Sequence, residues 1–217
     1  MSQPIADHLS QPWRIHRIAS GFRVLDVWAL PTPGGPDDFP HLVELFAGGG
    51  FQPGATSPMA RALFAIRWKL GEWLGWDDVD RGLGGRVRSL RDDLPASDDG
   101  DGDEGPAAAR APFSFLYRTD QEWAAELANA TVHAVLHLGW VPDAAVPGGY
   151  RGQMAVLVKP NGWRGRAYLA AIAPFRHRIV YPSLLAAVAS GWEPAGRRST
   201  QSPSRQLRRT RTISRRT

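Results

Sequence analysis

The chain contains no cysteine, only two lysines, and no apolar segment long enough to cross a bilayer. The absence of cysteine excludes disulfide bridges, thiolate metal sites and cysteine nucleophiles. Arginine or proline interrupts every apolar run well before the roughly 20 residues that a transmembrane helix requires. The first residues, MSQPIADHLSQPWR, lack the basic start and apolar core of a signal peptide. We therefore expect a cytoplasmic protein without a membrane span, whose oligomeric state the sequence does not predict.

The positive charge of the chain is concentrated at its C-terminus. Residues 197–217 contain eight arginines and no acidic residue, whereas residues 1–196 contain 18 basic and 21 acidic residues, a net charge of −3. A segment of Arg, Ser, Thr, Pro and Gln buries too little apolar surface to fold, so residues 196–217 are predicted to form a disordered basic tail. The tail has no aromatic residues that would stack on bases. It is either incidental or a non-specific phosphate-binding arm, and we expect no specific nucleic-acid partner.

Length and composition fit one globular domain, which we place at residues 21–195 after an N-terminal extension at residues 1–20. The strand and helix patterns below predict an α+β fold. An acidic loop, DDLPASDDGDGDEGPAAARAP, is predicted within this domain at residues 92–112. Its Asp-x-Asp-x-Asp run matches the start of a calcium-binding EF-hand loop. The match then fails, because Glu104 replaces the glycine that the sharp turn requires. The loop is therefore not predicted to bind calcium.

Alternating apolar residues predict a first strand at residues 22–30, which the segment PTPGGP ends. A short helix is predicted to follow between a cap at Asp37 or Asp38 and the glycines 48–50. A second helix is predicted from Ser57 to Trp73 by its cap and its helical spacing of apolar residues. Four later segments of strand length predict an antiparallel meander: FSFLYR, QEWAAELA, TVHAVLHLGWV and YRGQMAVLVK.

The short turns between these strands predict a register. If the dipeptide NA forms a two-residue turn, Glu126 lies opposite His133 and Glu122 lies opposite His137. With a similar TD turn before it, one mixed face is predicted to comprise Phe113, Phe115, Tyr117, Glu122, Glu126, His133, Val135 and His137. The opposite, uniformly apolar face is predicted to comprise Leu116, Trp123, Ala125, Leu127, Val132, Ala134, Leu136 and Leu138. One β-bulge would exchange the two sets of residues.

The mixed face allows several interpretations. Its HAVLH segment is not a zincin motif, because Ala134 occupies the glutamate position of HExxH and the β-branched neighbours favour a strand. Residues four apart on a strand are separated by about 13 Å, so His133 and His137 are too distant to share one ion and no metal is predicted. The face is then either a polar pocket lining or a solvated sheet face with paired Glu and His side chains.

A long C-terminal helix is predicted from Gly162 to Trp192, with a kink or break at Pro174 and Pro182. This helix and the runs TDQEWAAELANATVHAVLHLGWV, GGYRGQMAVLVKPNG and GRAYLAAIAPFRHRIVYPSLL resemble an uncharacterised bacterial family known as domain of unknown function 2867. That family is similar to the helix-grip, START-like proteins of the SRPBCC group. The resemblance covers residues 20–192. It implies a curved antiparallel sheet wrapped around the C-terminal helix with a hydrophobic cavity between them, and it implies no catalytic residue.

The leading functional hypothesis is a binding module for a small hydrophobic ligand with a polar end, held without a cofactor in a cavity between the sheet and the C-terminal helix. The residues expected to bind this ligand are Tyr117, Glu122, Glu126, His133, His137, Tyr168 and Phe175. One alternative is an enzyme on the same fold that uses His133 or Glu126 as a general base. Another is a structural or partner-binding domain with a filled core. No serine elbow, phosphate loop or dinucleotide fingerprint indicates a standard enzyme class.

Overall fold

The computed structural model describes residues 2–47, 83, 87–94 and 113–193 of the chain. Several predictions concern segments outside these residues, namely the helix from Ser57 to Trp73, most of the acidic loop, and the basic tail. Within the described residues, no helix combines the length and the apolar character needed to cross a membrane.

The centre of the domain is a curved sheet of five antiparallel strands: β1 Arg23–Ala29, β2 Ser114–Arg118, β3 Glu122–Ala128, β4 Val132–Pro142 and β5 Tyr150–Pro160. The spatial order is β1-β5-β4-β3-β2, so the last four strands form the predicted meander. The segment EWAAELA has helical propensity in isolation, yet it forms β3 because strands pair with it on both sides. The prediction of an α+β domain with an antiparallel sheet is confirmed.

Both hairpin turns in the meander lie one residue later in the chain than the predicted two-residue turns. Asn129 is the first residue of its turn, and its Oδ1 accepts hydrogen bonds from the backbone N–H groups of Thr131 at 2.9 Å and Val132 at 3.0 Å. Thr119 acts in the same way, because its Oγ1 accepts from the N–H of Glu122 at 2.9 Å. Asn and Thr favour this first position because their side chains satisfy backbone donors that the turn leaves unpaired.

These turns change the register of β3 and β4 by two residues. Ala128 lies opposite His133 and Ala124 lies opposite His137, so the predicted direct pairing of glutamates with histidines is wrong. Side chains alternate between the faces of a strand with a period of two. A shift of two residues therefore leaves the glutamates and the histidines together on one face, as predicted.

A β-bulge in β2 does exchange some residues between the faces. Phe115 and Tyr117 lie opposite consecutive residues of β3, which leaves Leu116 as an extra residue. Tyr117 and Leu116 pack with the mixed face, whereas Phe113 and Phe115 pack with the apolar face. The predicted positions of Phe113, Phe115 and Leu116 are therefore wrong, because the bulge reverses the alternation of side chains along the strand.

Three helices cover the apolar face of the sheet: α3 Phe39–Ala47, α4 Gly162–Phe175 and α5 Tyr181–Gly191. The short helix predicted after β1 is confirmed as α3. The largest apolar cluster lies between these helices and the sheet, and it consists of Trp28, Leu30, Phe39, Leu42, Val43, Trp123, Ala125, Leu138, Trp140, Met154, Tyr181, Val188 and Trp192. A smaller cluster beneath α4 is formed by Val132, Val158 and Leu169.

The long C-terminal helix is irregular between its two prolines. After α4 the chain forms a π turn, Arg176–Val180, and then continues directly into α5. Proline lacks the N–H that a regular helix needs and crowds the preceding turn, so a local change of helical pitch near Pro174 and Pro182 follows from the sequence. The predicted break at the prolines does not occur, because the chain stays helical from Gly162 to Gly191, and the irregularity between the prolines is a π turn.

The N-terminal residues cover the mixed face of the sheet. They include the short helices α1 Ile5–Leu9 and α2 Ile15–Ile18, and a 3-10 turn, Leu90–Asp93, lies beside them. Trp13 packs directly on Gly139, where any larger residue would collide with its ring. The apolar residues buried on this side are Trp13, Ile15, Ala19, Val27, Leu116, Tyr117, Ala124, Val135, Val141, Ala155 and Leu157. The sheet is thus covered on both faces, and the C-terminal helix does not lie on the glutamate and histidine face.

Candidate functional site

Glu126 and His133 form a buried hydrogen-bonded pair on the mixed face. His133 Nε2 lies 2.7 Å from Glu126 Oε2, and solvent reaches neither side chain to any extent. The 3-10 turn completes the contacts of Glu126, because Ser89 donates its hydroxyl to Oε1 and the N–H of Leu90 donates to Oε2 at 3.2 Å. Burial by itself would raise the pKa of Glu126. The hydrogen bonds from His133, Ser89 and Leu90 outweigh burial and lower that pKa.

Glu122 is held by a second set of hydrogen bonds on the same face. The backbone N–H of Arg14 lies 3.0 Å from both carboxylate oxygens, and Tyr117 donates its hydroxyl to Oε2 at 2.8 Å. His137 Nε2 lies 3.2 Å from the same oxygen. Burial opposes ionisation, but these hydrogen bonds lower the pKa of Glu122 below its usual value. Burial and the neighbouring Glu122 carboxylate raise the pKa of Tyr117, so its hydroxyl stays protonated.

His8 extends this network into the N-terminal helix. Its Nε2 lies 3.2 Å from Nδ1 of His137. The Glu122 carboxylate can only accept, so His137 carries its proton on Nε2 and accepts at Nδ1 from His8. Burial, together with the nearby His137 and His16, lowers the pKa of His8 to about 3. Burial also lowers the pKa of His137, so both imidazoles are neutral at pH 7.

This network joins the N-terminal residues to the sheet. The oxygens of Glu122 and Glu126 accept hydrogen bonds from protein groups and are buried, so they present no acceptor to an incoming molecule. Among the residues that the structure describes, no three His, Asp or Glu side chains lie close enough together to hold a metal ion. A buried network in which both carboxylates are paired stabilises one arrangement of the chain.

The seven predicted site residues therefore separate into two groups. The structure brings five of them together on the mixed face: Tyr117, Glu122, Glu126, His133 and His137. Tyr168 lies on the opposite side of the sheet, where it packs half-buried beside Val132, Val158 and Leu169. Burial there raises the pKa of Tyr168 to about 12. Phe175 is half-buried at the end of the same helix, so the structure does not bring Tyr168 and Phe175 together with the other five residues.

A second polar cluster lies on the apolar face, and sequence reasoning missed it. Asp26 of β1 is buried, and its Oδ2 accepts a hydrogen bond from the Tyr181 hydroxyl at 2.6 Å. Arg176 Nε lies 2.9 Å from the same oxygen, in an ion pair whose N–H is not aligned for a hydrogen bond. His177 Nε2 lies 3.1 Å from Oδ1. We call these four residues the Asp26 cluster.

Irregularities in strand β1 and in the C-terminal helix position the Asp26 cluster. The register of β1 shifts between Val24 and Asp26, and Arg176 and His177 lie in the π turn. Both devices redirect side chains, and π turns are frequent at functional sites. Burial raises the pKa of Tyr181 most, and the hydrogen bond to Asp26 raises it further. The signals in the sequence were an aspartate inside an apolar strand and a basic Arg-His-Arg segment between two helix prolines.

The Asp26 cluster differs from the mixed-face network in its access to solvent. The side chain of His177 is 43% exposed, while that of Asp26 is 6% exposed. The indole of Trp28 lies beside His177, with ring centroids 6.1 Å apart. Half-buried apolar residues adjoin the cluster along α4 and β1, namely Leu25, Tyr168 and Ile172. This arrangement combines an accessible imidazole, a buried carboxylate and an apolar surface.

Residues 18–183 match the model of the family described as "Protein of unknown function (DUF2867)". The chain belongs to the DUF2867 family. No curated protein and no solved structure matches the chain.

The region matched by the DUF2867 family contains one of the two polar clusters completely. All four residues of the Asp26 cluster lie within residues 18–183. The mixed-face network of this DUF2867 protein extends beyond that region, because His8 and Arg14 precede it. The Asp26 cluster is therefore built entirely from the DUF2867 region.

Proposed function

We propose that this DUF2867 protein binds a small amphipathic molecule between the sheet and the C-terminal helix, with the polar end of the molecule at the Asp26 cluster. The observation that carries the proposal is a buried carboxylate contacted by three polar side chains of the helix in an otherwise apolar interface, with one of them, His177, exposed. Small-molecule sites in proteins are mostly apolar and contain a few converging polar groups.

The apolar part of the ligand is assigned to the surface beside α4. Tyr168 and Ile172 are half-buried there, one helical turn apart on the same face of α4. Leu25 of β1 is half-buried next to them. Incompletely covered apolar side chains gain free energy when a ligand removes them from water, at about 25 cal/mol per Å².

The location is the one that the sequence analysis expected, but the polar residues differ. Glu126 and His133, the expected general bases of the enzyme alternative, lie on the other face of the sheet and hydrogen-bond each other. In the proposed site, His177 takes the role that the sequence analysis gave to His133, that of the histidine at the polar end of the ligand. We also propose that the fold is related to the helix-grip, START-like fold. The order of the strands and the presence of the C-terminal helix support this relationship.

The test is titration of the protein with the neutral apolar dye N-phenyl-1-naphthylamine, whose fluorescence rises in an apolar environment. We expect saturable binding by the wild-type protein. Ile172→Ala should weaken the affinity about tenfold, since loss of a partly buried aliphatic side chain corresponds to roughly 1–2 kcal/mol. Ile18→Ala is the matched control, because Ile18 is half-buried against the mixed-face core on the opposite side of the sheet.

The free energy of unfolding of each variant is measured by urea denaturation, because removal of apolar side chains also destabilises folds. The proposal is supported if Ile172→Ala and Ile18→Ala lose similar amounts of stability and only Ile172→Ala loses dye binding. Absence of dye binding by the folded wild-type protein, or an equal effect of Ile18→Ala, would overturn it.

A further inference from the structure

The side of the C-terminal helix that faces away from the sheet is basic and otherwise uncharged. We call it the outer face and define it as the exposed residues of the helical segment Gly162–Gly191. Its charged residues are Arg164, Arg166 and Arg178, and all its other residues are Trp, Ile, Ala, Pro, Gly or Ser. No aspartate or glutamate occurs in residues 162–192. The outer face therefore carries charge of one sign along a helix about 40 Å long.

Two large apolar side chains are exposed on the outer face. Trp163 is 68% exposed and Ile179 is 41% exposed. Exposure of such side chains costs free energy that burial against a partner would recover. The guanidinium carbon of Arg164 lies 5.7 Å from the centre of the Trp163 ring, so an aromatic ring and a positive charge are presented together.

The protein does not neutralise the charge of the outer face. Arg176, the fourth arginine of the helix, pairs with the buried Asp26. Among the residues that the structure describes, no carboxylate forms an ion pair with any of the three outer-face arginines. A helix face that contacts only water usually mixes charges of both signs. A face with arginines alone attracts a partner of negative charge.

The composition of the outer face distinguishes between negatively charged partners. Nucleic acid would pair with the arginines, but the alanines, prolines and Ile179 between them offer its phosphates no side-chain donor. A second copy of the chain, packed through the same face, would bring like charges together. A membrane surface with anionic lipids matches both properties, because its head groups pair with arginine while Trp and Ile side chains enter the boundary with the acyl chains.

We propose that the outer face docks on the surface of a membrane that contains anionic lipids. The helix lies parallel to the membrane plane, with Trp163 at the level of the head groups and the sheet directed away from the lipid. The arginines snorkel to the phosphates on both sides of the apolar side chains. This docking surface lies on the opposite side of the helix from the proposed ligand and does not depend on that ligand.

The first test is sedimentation of the full chain with vesicles of phosphatidylcholine alone or mixed with phosphatidylserine. We expect binding to the mixed vesicles and much weaker binding to the neutral ones. Trp163→Ala should weaken binding to the mixed vesicles about tenfold, since it removes a large apolar side chain from the interface. Leu9→Ala is the matched control, because Leu9 is also exposed and lies on the opposite side of the sheet.

A pair of double variants separates the outer face from the total charge of the chain. Arg164→Gln with Arg166→Gln should weaken binding to the mixed vesicles about thirtyfold, the factor for two arginines at a charged membrane surface. Arg17→Gln with Arg118→Gln removes the same charge from exposed positions on α2 and β2 and should have a much smaller effect. The eight arginines of residues 197–217 are present in all these proteins and so contribute equally.

The absence of cysteine from the chain allows contact with lipid to be measured at one position. Trp163→Cys is labelled with the fluorophore NBD, whose emission rises when it leaves water. We expect a rise on addition of the mixed vesicles. Leu9→Cys with the same label should show no rise.

Several results would overturn the inference. These are no binding to the mixed vesicles, equal losses in the outer-face variants and their controls, and an unchanged NBD signal at position 163. An outer face that instead binds oligothymidylate, or a dimer that Trp163→Ala dissociates, would assign the surface to nucleic acid or to a second copy. The substituted side chains are exposed, so each variant should unfold in urea at the wild-type midpoint. If Trp163→Ala failed to fold, the double arginine variants would still decide.

Discussion

Acidification from pH 7 to pH 5 should destabilise the protein through two buried histidines, His8 in the N-terminal segment and His137 of β4 beneath it. His8 has a pKa of about 3 in the folded chain and an ordinary value of 6.5 when unfolded. The unfolded chain therefore binds a proton in this range that the folded chain does not. The contribution of neutral His8 to the free energy of unfolding is fully present above pH 6.5 and decreases as the pH falls below that value. The loss through His8 is about 2 kcal/mol between pH 7 and pH 5.

His137 adds to this effect in the same direction, because burial also lowers its pKa. Glu122 and Glu126 act at lower pH. Their pKa values are lowered in the folded state, so the stability they contribute is present above about pH 4.5 and is lost as the pH falls through their folded values. The interval from pH 7 to pH 5 consequently reports on the histidines and not on the carboxylates.

The assay is urea unfolding followed by tryptophan fluorescence at pH 7 and pH 5. His8→Phe cannot bind a proton, so its loss of stability between the two pH values should be smaller than that of the wild-type protein by about 2 kcal/mol. Ile15→Val is the matched control from the same buried N-terminal segment. It should cost about 1 kcal/mol at both pH values and keep the wild-type difference. An unchanged pH difference in His8→Phe would refute the reasoning.

Three substitutions test the contacts that set the fold, each by its free energy of unfolding in urea. Gly139→Ala places a methyl group 2.7 Å from Cζ2 of Trp13, and we expect a loss of about 1–3 kcal/mol as the N-terminal residues are displaced. Asn129→Ala removes the acceptor of three hydrogen bonds in its turn and should cost about 1–2 kcal/mol, whereas Asn129→Asp should retain most of the stability. Glu126→Gln disrupts a buried pair and should cost about 3 kcal/mol. Wild-type stability in any of these variants would contradict the contact that it removes.

The packing of the sheet on both faces explains why the mixed face carries buried charge. Its glutamates and histidines lie beneath the N-terminal residues, which are polar enough at Arg14 and His8 to hydrogen-bond them. A carboxylate buried without such partners would cost several kcal/mol. The N-terminal residues therefore complete the core on this side of the sheet.

Local patterns in the sequence were sufficient for the elements and for much of the face assignment. Strand and helix periodicity predicted β1, the meander and α3, because those patterns depend on neighbours within a few residues. Glu122, Glu126, His133 and His137 were placed together on one face, and the structure pairs them. The error in register came from turn chemistry that was visible locally, since Asn129 and Thr119 are typical first residues of Asx and ST turns.

Only the tertiary structure decided which layer covers each face of the sheet and which polar groups meet there. Both faces offered enough apolar surface to bind a helix, so the choice depended on the complementarity of whole layers and not on any local pattern. The bulge at Leu116 exchanged side chains between the faces for the same reason, since pairing with β3 determines it. The Asp26 cluster joins residues about 150 positions apart, with a separation of 155 between Asp26 and Tyr181. Such contacts form when β1 and the C-terminal helix pack together, because periodicity reports which face a residue occupies but not which distant residue lies against it.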